Sequence, residues 1–148
     1  MRTCRFNSHL AGMRVLFLAL LILSVCHSSV SLAAEDVVDC DIQSGGCRKQ
    51  IDNRTVDLNI FPKPVKAMKD LIFQVKISGD PLSKPPFIDL GMPGMKMGPN
   101  QVILTKNDAV IYEGQGVIVR CKSGKTIWQA TITLPDIGSV VFTFNVVY

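Results

Sequence analysis

The feature that most constrains this fold is an alternation of apolar and polar residues with a period of two, which recurs after residue 55. It is clearest from Met68 to Ile77, where one face of an extended chain carries Leu71, Phe73, Val75 and Ile77. Successive side chains of a β-strand point to opposite sides, so the pattern predicts a strand with one buried face. No segment shows the 3.6-residue period of an amphipathic helix. The sequence therefore predicts an all-β domain.

Shorter alternating runs separated by proline and glycine turns predict about seven or eight strands in an antiparallel sandwich. Besides Met68 to Ile77, the predicted strands are 56–60, 87–90, 101–105, 110–112, 117–121, 126–134 and 139–148. The runs 101–105 and 110–112 are expected to form a hairpin, and Gly114-Gln115-Gly116 to interrupt the chain. Trp128 is expected to fill the core beside Ala130 and Ile132.

The first 33 residues have the pattern of a secretory signal. Arginines precede an apolar run from Val15 to Val25, and small residues follow up to a predicted cleavage site after Ala33. The run has about a dozen residues, short of the ~20 that span a bilayer, so an uncleaved anchor is the lesser alternative. A lipoprotein signal ending at Cys26 is a second alternative, but bulky Val25 replaces the usual small residue. We expect a periplasmic or secreted protein.

Removal of residues 1–33 leaves 13 basic and 12 acidic residues, interspersed along the sequence. The sequence gives no sign of a basic patch for nucleic acid or for an anionic surface. His9 and His27 also lie in the predicted signal, so the remaining chain has no histidine. This excludes Ser-His-Asp and Cys-His catalysis and the common histidine-based zinc and Cu(II) sites. No other acid, base or glycine-rich motif indicates an enzyme.

Three cysteines remain after the signal. Cys40 and Cys47 flank a turn in a polar N-terminal arm, residues 34–55, and in an oxidising compartment they are expected to form a disulfide. Two reduced thiols or a thiolate metal site are the alternatives. Cys121 is left without a partner.

The most unusual segment runs from Asp89 to Asn100 and holds Met92, Met95 and Met97 around Pro93-Gly94. Thioethers are soft ligands that suit Cu(I), whereas a methionine in a core serves only to fill gaps. Pro93-Gly94 can bend the chain, and residues two apart in an extended chain share a side, so the three sulfurs are able to converge. A methionine-lined loop that closes the core is the alternative.

The segments Pro62-x-Pro64, Leu71-Ile-Phe-Gln-Val75, Asp89-Leu90 and Met92-Pro-Gly-Met-x-Met97 together resemble the YtkA/FixH-like group of exported domains. The resemblance covers most of residues 56–148. It implies an immunoglobulin-like or cupredoxin-like sandwich that handles copper and assists the assembly of respiratory copper enzymes. Many members of the group have a histidine near the methionines, where this chain has Gly98-Pro99-Asn100. The departure favours Cu(I) over Cu(II).

Cys121 is a candidate fourth ligand, provided that it lies at the same end of the sandwich as the methionines. Flanking Arg120 and Lys122 are expected to lower its pKa and favour the thiolate. A buried, inert thiol is the alternative role.

Two functions follow. The first is a Cu(I) carrier or buffer that exchanges metal with another envelope or membrane protein through Met92, Met95 and Met97. The second is an interaction module without metal, in which the same loop forms an apolar contact surface, because methionines suit adaptable binding surfaces. Neither involves nucleic acid.

Overall fold

The computed structural model describes residues 37–108 and 110–148, and the predicted signal, residues 1–33, lies outside this part of the chain. Its strands, in chain order, are β1 (Cys47–Ile51), β2 (Arg54–Phe61), β3 (Asp70–Ser78), β4 (Phe87–Gly91), β5 (Gln101–Ile103), β6 (Thr105–Lys106), β7 (Ile111–Val117), β8 (Ile127–Leu134) and β9 (Gly138–Asn145). Within the described ranges, no helix has the length and apolar character needed to cross a bilayer.

The strands form two sheets in which every neighbouring pair is antiparallel. One sheet has five strands in the order β1-β2-β3-β7-β6, and the other has four in the order β5-β4-β8-β9. Buried residues of both sheets belong to one core. The predicted all-β antiparallel sandwich is confirmed. The described residues form nine strands and not eight, because the N-terminal segment adds β1, the predicted strand 101–105 divides into β5 and β6, and the predicted strand 117–121 is not formed.

The core follows the period-two pattern of the sequence. In β3 the side chains of Leu71, Phe73, Val75 and Ile77 are buried, while the intervening residues face outward. Trp128 is fully buried in β8, where buried and half-buried residues alternate along the whole strand. Trp128 Nε1 donates a hydrogen bond to Tyr148 Oη at 3.3 Å, which satisfies its polar atom. The predicted core role of Trp128 is confirmed.

The N-terminal segment belongs to the sandwich. Cys40 and Ile42 are buried in the core, and the Cys40 backbone N–H donates to the carbonyl of Thr143 in β9 at 3.0 Å. Cys40 forms the predicted disulfide with Cys47, the first residue of β1. The bond therefore ties a buried segment to an edge strand.

The predicted strand 101–105 divides at Leu104 between the two sheets. Gln101–Ile103 pairs with β4 in the four-stranded sheet, whereas Thr105–Lys106 pairs with β7 in the five-stranded sheet. Of the two, only Thr105–Lys106 forms the predicted hairpin with the following strand. The prediction that Gly114-Gln115-Gly116 interrupts the chain is wrong, because all three residues lie inside β7 and pair with β3.

The prediction of a strand at residues 117–121 is also wrong. β7 ends at Val117, and residues 118–126 form a loop that leads into β8. We call this segment the cysteine loop. It places Cys121 in a turn, where the Gly124 N–H donates to the Cys121 carbonyl at 3.1 Å.

Antiparallel pairing brings three loops to one end of the sandwich. The cysteine loop is joined there by the loop between β2 and β3, residues 62–69, which we call the proline loop, and by residues 92–100, the methionine loop. The Met68 N–H donates to the Ile118 carbonyl at 2.8 Å, and the Asn100 side chain donates to the Val117 carbonyl at 3.3 Å. These bonds link the proline and methionine loops to the end of β7 and the cysteine loop.

Candidate metal centre

The methionine loop is fixed at its base by two hydrogen bonds of Asn100. The Leu90 N–H of β4 donates to the Asn100 carbonyl at 2.8 Å, and Asn100 Nδ2 donates to the Val117 carbonyl at 3.3 Å. The first bond closes the loop on itself, and the second anchors it to the facing sheet. The loop therefore has a defined position although it contains no strand.

A tight turn at the start of this loop brings Met92 and Met95 together along the backbone. The Met95 N–H donates to the Met92 carbonyl at 3.1 Å, and Gly94 has φ of 68°. Proline at the second position and a left-handed glycine at the third are the requirements of a type II turn. The bend predicted at Pro93-Gly94 is present.

The three methionine side chains differ in burial. Met92 is 2% exposed because it continues the inward alternation of Ile88 and Leu90 one step past the end of β4. Met95, after the turn, is 42% exposed, and Met97 is partly buried against the core. The loop thus carries one thioether in the core, one at its margin and one in solvent.

All three methionines nevertheless line one open groove of about 450 Å³ between their loop and the strands β4 and β8. Its walls also include Asp89, Lys96, Asn100, Gln129 and Thr131. The carboxylate of Asp89 accepts a hydrogen bond from Gln101 Nε2 at 2.7 Å. The groove therefore combines methionine side chains with both charged and neutral polar residues.

Asn100 and Gln129 were not predicted from the sequence. Asn100 carries a weak signal, since it ends the loop after Gly98-Pro99, where a closing hydrogen bond is required. Gln129 carries none beyond its outward position in β8. It reaches the groove because Gln129 pairs with Gly91, the last residue of β4.

The donor set fits a soft monovalent ion. In the described part of the chain, no group of three or more His, Cys, Asp or Glu side chains is placed to hold a metal. Thioethers bind Cu(I) well and bind zinc or hard cations poorly. Met92, Met95 and Met97 are the residues that would hold such an ion.

Cys121 lies at the same end of the sandwich as the methionine loop, as a fourth ligand requires, but it is not among the residues that line the groove. It is a free, half-buried thiol that packs against the core. Its backbone N–H donates to Tyr148 Oη at 3.3 Å. The structure therefore places Cys121 in the cysteine loop and not among the residues that line the groove.

The pKa of Cys121 is lowered from the ordinary value of a thiol, chiefly by a hydrogen bond from the Ser123 hydroxyl, 3.0 Å from Sγ. The Ser123 backbone adds to the effect, and the charge of Lys125 contributes less. The direction agrees with the prediction, but the cause differs. The Arg120 guanidinium lies over the Tyr148 ring, 5.5 Å from its centre.

Comparisons with models of protein families, with curated proteins and with solved structures find no match to this chain.

Proposed function

We propose that this protein is an exported Cu(I) carrier that binds the ion through Met92, Met95 and Met97 and passes it to another envelope or membrane protein. The observation that supports the proposal is that these three methionine residues, from one loop, line the same solvent-open groove. Copper is the cargo of this reaction, which requires no catalytic group.

The unequal burial of the methionines suits transfer by ligand exchange. Met92 is held by the core, so its side chain loses little further freedom when it binds an ion. Met95 is accessible to a partner's ligands and can be replaced by them stepwise. Cu(I) accepts sulfur ligands in low and variable number, so exchange needs no rigid intermediate geometry.

The resemblance to the YtkA/FixH-like group and the predicted signal support the same proposal. Both favour a location outside the cytoplasm, where a respiratory copper enzyme or its assembly factor would be a suitable acceptor. The resemblance and the acceptor stay predictions, resting on the motif residues alone.

The first prediction concerns Cu(I) affinity. Titration of the reduced protein against a competing Cu(I) chelator should show a dissociation constant that rises more than about tenfold, or 1.4 kcal/mol, when Met92, Met95 and Met97 are all changed to leucine. Leucine keeps the volume and apolar character of methionine, so the fold should persist. Met68→Leu, a change in the proline loop, is the matched control. Equal affinities of the wild type and the triple variant would eliminate the site.

Cys121→Ser, titrated in the same way, decides between the two roles of the thiol. A methionine-only site predicts an unchanged affinity, and X-ray absorption of the loaded protein should then show thioether sulfur without thiolate. A weaker affinity would add Cys121 to the ligands.

The contact-surface alternative is favoured by the exposure of Met95 at a loop tip. It predicts that the triple leucine variant loses an envelope partner while its Cu(I) affinity equals that of the wild type. Loss of both would support transfer.

A further inference from the structure

The end of the sandwich that carries the methionine loop is rich in basic residues, although Asp41 near Lys63 and Asp70 at the start of β3 also lie there. Its three loops contain seven basic residues and no acidic residue, namely Lys63, Lys66, Lys69, Lys96, Arg120, Lys122 and Lys125. All are exposed except Lys63, which is half-buried and donates to the Gly45 carbonyl. We call this surface the basic end. These three loops therefore bring basic residues together on one surface, contrary to the expectation from the sequence that no basic patch is present.

The contacts between loops make the basic end one surface. The Met68 to Ile118 hydrogen bond joins the proline loop to the cysteine loop, and the Ala67 N–H donates to the Val147 carbonyl at 2.9 Å. The Cys121 N–H, in turn, donates to the Tyr148 hydroxyl. Lysines that lie far apart in sequence thus share one face of the molecule.

The opposite end has a different charge. Each of its connections contributes an aspartate: Asp52, Asp80, Asp108 and Asp136. Lys84 pairs there with Asp136 at 3.3 Å, and Arg54 pairs with Asp80 at 4.0 Å. The loops of the two ends therefore differ in charge, because those of the basic end carry no acidic residue and each connection of the opposite end carries an aspartate.

Apolar side chains protrude from the basic end. Met68 is 63% exposed, Met95 42% and Val119 41%, one from each of the three loops. Met68 also has φ of 59°, a left-handed conformation that a side-chain-bearing residue rarely adopts. Each of the three loops therefore leaves a large part of one apolar side chain in contact with solvent.

We infer that the basic end docks on a lipid bilayer with anionic headgroups, with the three apolar tips entering the interface and the lysines binding the phosphates. Lysine-rich surfaces gain affinity from each charge near an anionic membrane, and their long side chains keep the charge at headgroup level while apolar groups go deeper. Six of the seven cations are lysines, a residue depleted from protein interfaces. Binding to nucleic acid would depend on its phosphates and would not require exposed apolar side chains. Met95 belongs both to this surface and to the proposed copper site, whereas the lysines, Met68 and Val119 are not proposed copper ligands.

The second prediction is that the protein binds anionic vesicles through the basic end. Sedimentation with vesicles tests it, using the protein as recovered from cells that express the whole chain. Wild type should bind vesicles of equimolar phosphatidylglycerol and phosphatidylcholine and should not bind phosphatidylcholine alone. Lys66→Gln/Lys69→Gln/Lys122→Gln should lower the binding constant by about tenfold or more. The control Lys76→Gln/Lys84→Gln/Lys106→Gln makes the same change in net charge away from the basic end and should bind as wild type does. The wild type and all variants are compared with the same N-terminus, so that differences in vesicle binding come from the substitutions alone.

A second variant separates a bilayer from other polyanions. Met68→Gln/Val119→Gln keeps every charge and leaves the copper ligands intact, and it should also weaken vesicle binding. Three results would overturn the inference: no binding to the anionic vesicles, equal losses in the two lysine variants, or undiminished binding of the glutamine variant together with binding to heparin or an acidic polypeptide. Cu(I) affinity, measured separately, should be the same in all of these variants.

Discussion

At the scale of single residues, Gly94 shows how one backbone angle positions ligands. Its φ of 68° lies in the left-handed region, and a Cβ built there would meet no atom within 4 Å. A substitution at Gly94 is therefore opposed by the backbone conformation and not by crowding. Gly98, in the same loop, also has open space but no positive φ, so it provides a comparison that differs in this one respect.

The third prediction is that Gly94→Ala destabilises the protein by about 1 kcal/mol, because alanine in the left-handed region is strained. If the free loop relaxes to relieve that strain, metal binding must restore the turn, and the Cu(I) dissociation constant should rise about fivefold. Urea unfolding and chelator competition measure the two effects. Gly98→Ala should leave both near wild type, and a comparable effect of the two alanines would refute the role of the turn.

At the scale of elements, the chain passes from one sheet to the other between β5 and β6, and the glycines of β7 make this crossing possible. A Cβ on Gly114 would lie 2.3 Å from the Ile103 carbonyl oxygen, and one on Gly116 would lie 2.5 Å from a Val102 methyl. β5 therefore lies directly against the backbone of β7. Glycine inside a strand commonly marks such a close approach.

The fourth prediction is that Gly114→Ala lowers the free energy of unfolding by about 2 to 3 kcal/mol, since the backbone of Ile103 must move to admit the methyl group. Gly91→Ala in β4 is the matched control, because a Cβ there would meet only Gln129 atoms at 3.8 Å. Chemical denaturation measures both. The close approach would be disproved by a Gly114 variant as stable as the Gly91 variant.

At the scale of the whole molecule, the disulfide makes the N-terminal segment a permanent part of the sandwich. Ile42 is fully buried, and Gln43 donates through its side chain to the Asn145 carbonyl at 2.9 Å and accepts from the Val65 N–H at 2.8 Å. The segment thus connects β9 to the proline loop of the basic end. The Cys40–Cys47 bond holds it there by closing a loop with a sequence separation of 7.

The fifth prediction is that Cys40→Ser/Cys47→Ser lowers the free energy of unfolding by about 2 to 3 kcal/mol, the loop-closure entropy that the bond removes from the unfolded chain. The urea midpoint should fall accordingly, and a reducing agent should produce the same fall in the wild type. Cys121→Ser, which removes the free thiol, should leave the midpoint nearly unchanged. An unaltered midpoint in the double variant would show that the contacts of Ile42 and Gln43 are sufficient.

The features predicted correctly from the sequence are those that depend on residues close to one another in the chain. The alternation in β3 and β8 places their apolar side chains on one face, which must be buried, and Trp128 follows from it. The turn at Pro93-Gly94 is likewise local, because proline restricts its own φ angle and glycine permits a positive one. Cys40 and Cys47 are close enough in sequence for their pairing to be predicted.

The tertiary structure decided what depends on residues far apart in the chain. Gly114 and Gly116 appear in the sequence as a break, and only the approach of β5 shows why they stand inside β7. Cys121 appears at a strand end, but the turn with Ser123 fixes its place and its pKa. Most of all, antiparallel strands send alternate connections to opposite ends, so the loops without acidic residues meet at one end and the aspartate-bearing connections at the other.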